Sequence, residues 1–371
     1  MKKFNLILLV MALTVFSVKA QDVMEEEEGV TISGSIDTYF RTTLNSDDNG
    51  PSAAPATSFA NFTGFGLGMA NIIFSYEGSN AGFVADLVFG PRGADAVFAS
   101  PQIPGYYSSS IVNQLYAYWS PSDAVTFTIG NFNTFLGYEV ISPSGNFHYS
   151  TSYMFSYGPF SHTGVKADFD LGGGLSAMVG IMNPTDLTEF NPVNTYTLGA
   201  QLGYTNDAGG AWLNFQYGDQ NGNPEDDNAV EESNNLFQVD LTTGWNLGDA
   251  FYLGLNTTLQ STSTEVEGAD AGSFLGFAVY PELSVTDAFA LGLRGEYFAV
   301  NNGYLDGVVG LDAQGDGSVF ALTLSGPVSV GNLTFIPEVR MDSFSEDFVI
   351  NKDGEAAASL ASFLLAAVYS F

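Results

Sequence analysis

Charged side chains recur two or four residues apart in otherwise weakly charged stretches: Asp37 with Arg41, Lys166 with Asp168, Arg294 with Glu296, and Glu338 with Arg340 and Asp342. Asp86 and Asp240 stand singly, and Glu139 lies in a stretch crowded with aromatic rings. Even spacings put each group on one face of an extended chain. Opposite charges on such a face can set a transverse field across a water-filled space and orient ions passing through it. They can equally pair and stiffen a wall, and the spacing leaves both readings open.

Other chemistries have weaker support. The two histidines are His148 and His162. Ser161 beside His162 is not a dyad, because neighbours along a strand point to opposite faces. Asp219-Gln220-Asn221-Gly222-Asn223 resembles half a calcium loop, but Pro224 stands where such a loop needs Gly, and the closing Glu is missing. Cysteine is absent, which removes thiolate ligands and disulfides. Neither a catalytic residue, a metal nor a cofactor is expected.

The elements that must position these charges follow from a period of two. Val30, Ile32, Gly34, Ile36, Thr38 and Phe40 make one face of the first strand, while Thr31, Ser33, Ser35, Asp37, Tyr39 and Arg41 make the other. At the far end Ala361, Phe363, Leu365, Ala367, Tyr369 and Phe371 alternate in the same way and close on an aromatic. Lipid outside and water inside produce this division. The pattern predicts sixteen strands at 30–43, 65–77, 81–90, 111–119, 125–133, 160–169, 175–183, 194–205, 211–218, 235–245, 251–261, 272–283, 289–301, 317–327, 333–344 and 358–371. Pro281 and Pro337 fall inside strands and predict bulges or shifted bounds there. Adjacent Trp212 and Leu213 leave the phase of their strand open.

Connections alternate between tight and long. Ser122-Asp123-Ala124, Gly248-Asp249-Ala250 and Thr286-Asp287-Ala288 are hairpin turns, and the segment from Val328 to Asn332 is another tight one. Long polar connections occupy 44–64, 91–110, 134–159, 184–193, 219–234, 262–271, 302–316 and 345–357. Short turns on one side, long loops on the other and an even strand number specify an all-β fold. It is a transmembrane antiparallel up-and-down β-barrel of about sixteen strands, closed so that no edge N–H or C=O faces lipid. At that strand number the lumen is too wide for wall side chains to fill and is expected to hold water.

Lys2 and Lys3, an apolar run from Phe4 to about Val18, and Val18-Lys19-Ala20 read as an export signal over 1–20. An acidic periplasmic leader follows at 21–29, and the barrel occupies 30–371. Net charge is −32 for the chain and −35 once that signal is lost, which argues against nucleic acid as a partner. The long loops carry 22 of the 41 acidic residues but only Arg92 and Lys352 as bases. A mouth so ringed concentrates cations, or it merely solubilises the outer surface. The 134–159 loop differs in holding Phe135, Tyr138, Phe147, Tyr149, Tyr153, Phe155 and Tyr157. It is expected to fold inward with Glu139 at a constriction, or else to cap the rim.

Gly130-Asn131-Phe132, Gly137-Tyr138-Glu139, the Ser/Tyr-rich run to Pro159 and the strand with His162 and Gly164 resemble the OmpL-like putative β-barrel porin-2 family of Gram-negative outer membranes. The resemblance is strongest over 110–170 and implies a passive diffusion channel. With it the expected reading is an outer-membrane porin, not an enzyme, passing small hydrophilic solutes and ions with preference for cations. Asp37, Arg41, Asp86, Glu139, Lys166, Asp168, Asp240, Arg294, Glu296, Glu338, Arg340 and Asp342 are its candidate lining residues. Expected partners are outer-membrane lipid, the transported solutes and the barrel-assembly machinery through the strand ending at Phe371. A homotrimer is expected by analogy. The alternative is a non-conducting structural or surface-binding barrel.

Overall fold

The computed structural model describes residues 29–97, 111–221, 234–264 and 271–371. The export segment, nearly all of the leader and the loop acids Glu225, Asp226, Asp227, Glu231 and Glu232 lie outside the described residues. The strands are β1 Thr31–Thr43, β2 Gly64–Glu77, β3 Ala81–Phe89, β4 Val112–Ser122, β5 Val125–Asn133, β6 Ser161–Gly172, β7 Leu175–Met182 and β8 Thr197–Asn206. They continue as β9 Gly209–Asp219, β10 Asn234–Asn246, β11 Phe251–Thr264, β12 Gly272–Thr286, β13 Phe289–Asn301, β14 Gly317–Ser325 extended by Val328–Val330, β15 Leu333–Phe344 and β16 Ser359–Ser370. Every strand runs antiparallel to its sequence neighbours. β1 also pairs with β16, placing Ile36 opposite Tyr369 and Arg41 opposite Leu364, which closes a sixteen-stranded ring.

Alternation decides what faces outward. Phe65 is 90% exposed, and Ile36, Ile129, Leu202, Leu324 and Tyr369 stand out from the same outer surface. In water so large an apolar belt would drive association, whereas in a bilayer it is the solvated state. Ile129→Arg on β5 is therefore expected to cost about 2–4 kcal/mol if that position lies at the bilayer midplane. Urea unfolding in lipid vesicles measures it, and an unchanged midpoint would show that this face does not meet hydrocarbon.

The prolines act as breaks. β14 is interrupted at Gly326-Pro327 opposite Pro337, whose carbonyl accepts from Gly326 N at 3.0 Å, so both prolines share one irregularity. Val328–Val330 is consequently strand, and the turn expected from Val328 to Asn332 shrinks. Pro281 pairs with Leu253 inside an unbroken β12, and the ladder toward β13 lapses at Tyr280 and Pro281 and resumes in the same register at Glu282–Gly292, so the bulge expected at Pro281 does not form and the register shift comes later, between Ser284 and Thr286. Trp212 shares the inward parity of buried Asn214 and Gln216, and Leu213 faces out, which resolves the phase of β9. The tight turn after β6 uses Gly172, Gly173 and Gly174, all with left-handed φ, a run that only glycine adopts without strain.

Inside, the barrel is packed. Helix α1, Pro91–Ala96, lies against β2 and β3, and α2, Tyr153–Tyr157, against β12 and β13. One apolar cluster joins Tyr153 and Met154 to Phe274, Phe298 and Val319, and another joins Tyr149 to Tyr39, Ile336 and Leu364. The expectation of a wide water-filled bore is corrected at this depth: protein fills it, and the last strand turns Leu360, Leu364, Ala366 and Val368 inward to meet that filling.

Candidate functional site

Beside α1 and the inner part of the 44–64 loop, whose Ser58 O accepts from Thr151 Oγ1 at 2.6 Å, the filling is mainly the 134–159 loop. Its neck is closed by Thr134 N donating to Phe160 O at 3.0 Å, so it leaves β5 and re-enters β6 at one point. Between these it dips through a short 3-10 turn, Pro143–Gly145, and α2, whose first turn is capped by Ser152 Oγ accepting from Phe155 N at 3.1 Å. The aromatic content that marked this loop has a use, because its side chains seat on wall glycines. A Cβ at Gly199 would strike Phe135, at Gly254 Tyr138, at Gly292 Phe147, at Gly68 Tyr149 and at Gly276 Met154. Each missing side chain is a slot in the inner wall.

Backbone groups of an irregular loop inside a barrel need partners, and the wall supplies them as charges. Asp240 accepts from Gly137 N at 3.0 Å. Glu338 accepts from Tyr149 N at 3.0 Å and Ser150 N at 3.3 Å. Glu296 accepts from Tyr153 N at 2.9 Å and Met154 N at 2.8 Å, at the start of α2. Asp37 accepts from the Tyr149 hydroxyl at 2.5 Å and from Met69 N at 3.0 Å. The arginines serve the loop carbonyls: Arg294 donates to Ser150 O at 2.6 Å, and Arg340 to Thr151 O at 2.8 Å.

Three ion pairs occur among the described residues. Arg294 meets Glu139 at 2.6 Å with both side chains buried, Arg340 meets Asp342 at 2.8 Å, and Lys166 meets Asp168 at 2.5 Å in a partly open position. Arg294 thus pairs across the lumen with the loop, while its strand neighbour Glu296 is spent on α2. Asp86 stands apart, bonded by Asn71, by Asn113 at 2.7 Å and by Gln114 at 3.3 Å. Arg41 donates to Ala53 O at 2.5 Å and lines a cavity beside the loop. Of the twelve sequence candidates, all but Lys166, Asp168 and Asp86 converge on the loop or the cavity beside it.

Several contributors carried no clear sequence signal. Arg92, expected at the charged mouth, is instead buried on α1, donating to Ile141 O at 2.8 Å with its guanidinium 4.5 Å from the Phe59 ring and 5.3 Å from the Tyr149 ring. His148 shares a 2.7 Å hydrogen bond with Ser325 Oγ, which donates to Glu338 at 2.9 Å, and His162 meets Thr134 Oγ1 at 2.9 Å. A strip of inward amides spans β8 to β11: Gln201 donates to Asn214, Asn214 and Asn256 to Asp240, and Gln216 to Gln238. Their period-two placement was visible and is the signal that could have found them. Outside the wall, burial pushes the Asp186 carboxyl up to about 6 even though Ser161 N and Phe160 N donate to it. In the first long loop, Asp48 is held below the usual carboxylate range by the Thr43 N–H and nearby hydroxyls.

The arrangement is a barrel with an inward loop stapled to its inner wall, leaving small recesses at the loop's flanks. One is lined by Arg41, Thr57, Ser150, Glu338, Arg340 and Ser362 among others and has room for about one water molecule. A second of the same size lies where Gly137 and Met154 meet Gln238, Asp240 and Asn256. No group of three or more potential metal ligands occurs among the described residues.

Solved structures share this architecture at low identity. OmpT of Vibrio cholerae is 12% identical, with a TM-score of 0.61 over 94% of this chain and 100% of that one. The outer membrane channel DcaP of Acinetobacter baumannii is 12% identical, with a TM-score of 0.60 over 92% of this chain and 97% of that one. Salmonella typhi OmpF, solved with daunomycin, is 12% identical, with a TM-score of 0.56 over 92% of this chain and 97% of that one. A comparison with curated proteins returns no match. At such identities the likeness establishes the fold, and the family follows from a separate match that runs the length of the barrel. The model of the family described as "Putative beta-barrel porin-2, OmpL-like" matches residues 29–371, so this chain belongs to that family of outer-membrane porins.

Proposed function

We propose that the barrel is a passive diffusion channel for small hydrophilic solutes and ions, with the 134–159 loop setting its size limit and with cations favoured over anions. The observation that carries this reading is the inward loop, held to β13 by Glu139–Arg294 and Glu296, to β15 by Glu338 and to β10 by Asp240. A fixed obstruction at mid-barrel is how a wide barrel becomes a sieve. Cation preference rests on the acidic surplus of the long loops, sharpened because Arg92 is withdrawn into the interior and Lys352 remains exposed as their other base. The proposal includes export through segment 1–20 and delivery to the membrane through the strand ending at Phe371. It also includes a homotrimer, by analogy with the trimer form described for OmpT of Vibrio cholerae.

One observation favours the second reading, a non-conducting barrel: the charged groups around the loop are almost wholly buried. Planar-bilayer recording of the purified protein separates the two. Small stepwise currents, with a reversal potential in a salt gradient on the cation side, are expected. A barrel that inserts and never conducts would leave the scaffold reading, and a reversal potential on the anion side would remove the cation preference alone.

A further inference from the structure

One lumenal acid has no partner. Among the described residues Glu282 makes neither a hydrogen bond nor an ion pair, whereas Arg294, Arg340 and Lys166 each hold another carboxylate. It lies toward the short-turn end of β12, two residues beyond the buried Tyr280 on the same inward face, and is itself partly exposed. Its neighbours across the ladders are Tyr252 on β11 and Gly292 on β13.

Aromatic rings gather around this carboxylate. Tyr138 of the inward loop stacks on Tyr280 with centroids 4.1 Å apart, and its hydroxyl meets that of Tyr252 at 3.0 Å. Phe147 from the same loop occupies the slot over Gly292, and Glu282 lies within electrostatic reach of the Tyr138 and Tyr252 hydroxyls. Beyond Glu282 the inward side chains shrink to Ser284, which is exposed, and its register partner Ala290, so the cluster opens to water on the short-turn side. Tyr138, Phe147 and Tyr252 are only half-buried there. Ring faces carry negative potential, so an acid among them is disfavoured until a cation lies between. A hard metal ion fits less well, because calcium takes about six to eight oxygens and the two hydroxyls here are already bonded to each other.

We propose that Glu282, Tyr138, Tyr252 and Phe147 form a binding site for a small organic ammonium ion, with the carboxylate meeting its charge and the rings its methyl or methylene groups. As a resting point for a solute in transit it rests on the channel reading; as a binding site it stands without it. Two of its four members belong to the inward loop, so the cation is held at the foot of the obstruction.

The test is binding of choline to the purified full-length barrel in detergent, read by NMR line broadening of its methyl protons and by the shift in thermal midpoint against sodium chloride at equal ionic strength. Saturable broadening at millimolar choline and a choline-specific rise in midpoint are expected, with the neutral tert-butyl analogue of choline giving neither. Glu282→Gln is expected to weaken half-saturation by about tenfold, as loss of the charge partner requires. Tyr252→Leu is expected to weaken it by about threefold or more, while Tyr252→Phe keeps the ring and is expected to bind as the parent does, which guards against a folding defect at that position. Choline indistinguishable from sodium, a neutral analogue that binds as well, or broadening that survives both Glu282→Gln and Tyr252→Leu would overturn the proposal. Bilayer recording on the same sample keeps the two failures distinct: conduction without choline binding removes this site alone, and choline binding without conduction removes the channel alone.

Discussion

Arg294→Gln is expected to lower the unfolding free energy by about 3–5 kcal/mol, the scale for removing one partner of a buried ion pair. The substitution leaves Glu139 enclosed without its cation and strips donors from Ser150 O, Thr151 O and Thr323 Oγ1. Arg294→Lys keeps the charge but loses the fork and is expected to restore only part of the loss. The Arg294→Gln/Glu139→Gln pair is expected to be more stable than Arg294→Gln alone, because no buried charge is then stranded. Urea midpoints in detergent or lipid decide the matter. A single Arg294→Gln variant as stable as the parent would mean that the loop is not seated against β13.

The second large effect concerns passage rather than stability. Glu296→Ala with Glu338→Ala orphans the N–H groups of Tyr149, Ser150, Tyr153 and Met154 together. Each buried orphan costs about 1–3 kcal/mol, which favours withdrawal of the loop toward water over leaving it in place. Single-channel conductance of the double variant is expected to rise severalfold, with noisier open levels and admission of larger uncharged solutes in vesicle-swelling assays. Conductance equal to that of the parent would show that these carboxylates do not hold the obstruction.

The wall was legible because one physical rule governs it. Strand bounds follow within a few residues, and parity alone places Asp37, Arg41, Asp240, Arg294, Glu296, Glu338, Arg340 and Asp342 inside, since lipid excludes them. What they touch was not legible, because it depends on a loop whose path no periodicity describes. Arg294 pairs with Glu139, far away in sequence, and not with Glu296 two residues along. The filled interior did leave traces: Leu360, Leu364, Ala366 and Val368 are poor company for water, and Gly199, Gly254, Gly276 and Gly292 sit on inward parity where a hydrated wall has no need of small residues. Arg92 was misplaced because a base in a polar loop carries no mark of burial.

The staples join distant parts of the chain. Tyr149 reaches Asp37 on the first strand and Glu338 on the last but one, while Met154 reaches Glu296 on β13. Asp37 and Glu338 come together only where the last strand pairs with both β1 and β15, so the seat of Tyr149 is complete only in the closed ring. Seating the loop and closing the ring therefore reinforce each other, since the contacts that fill the interior also tie the first strand to the last ones.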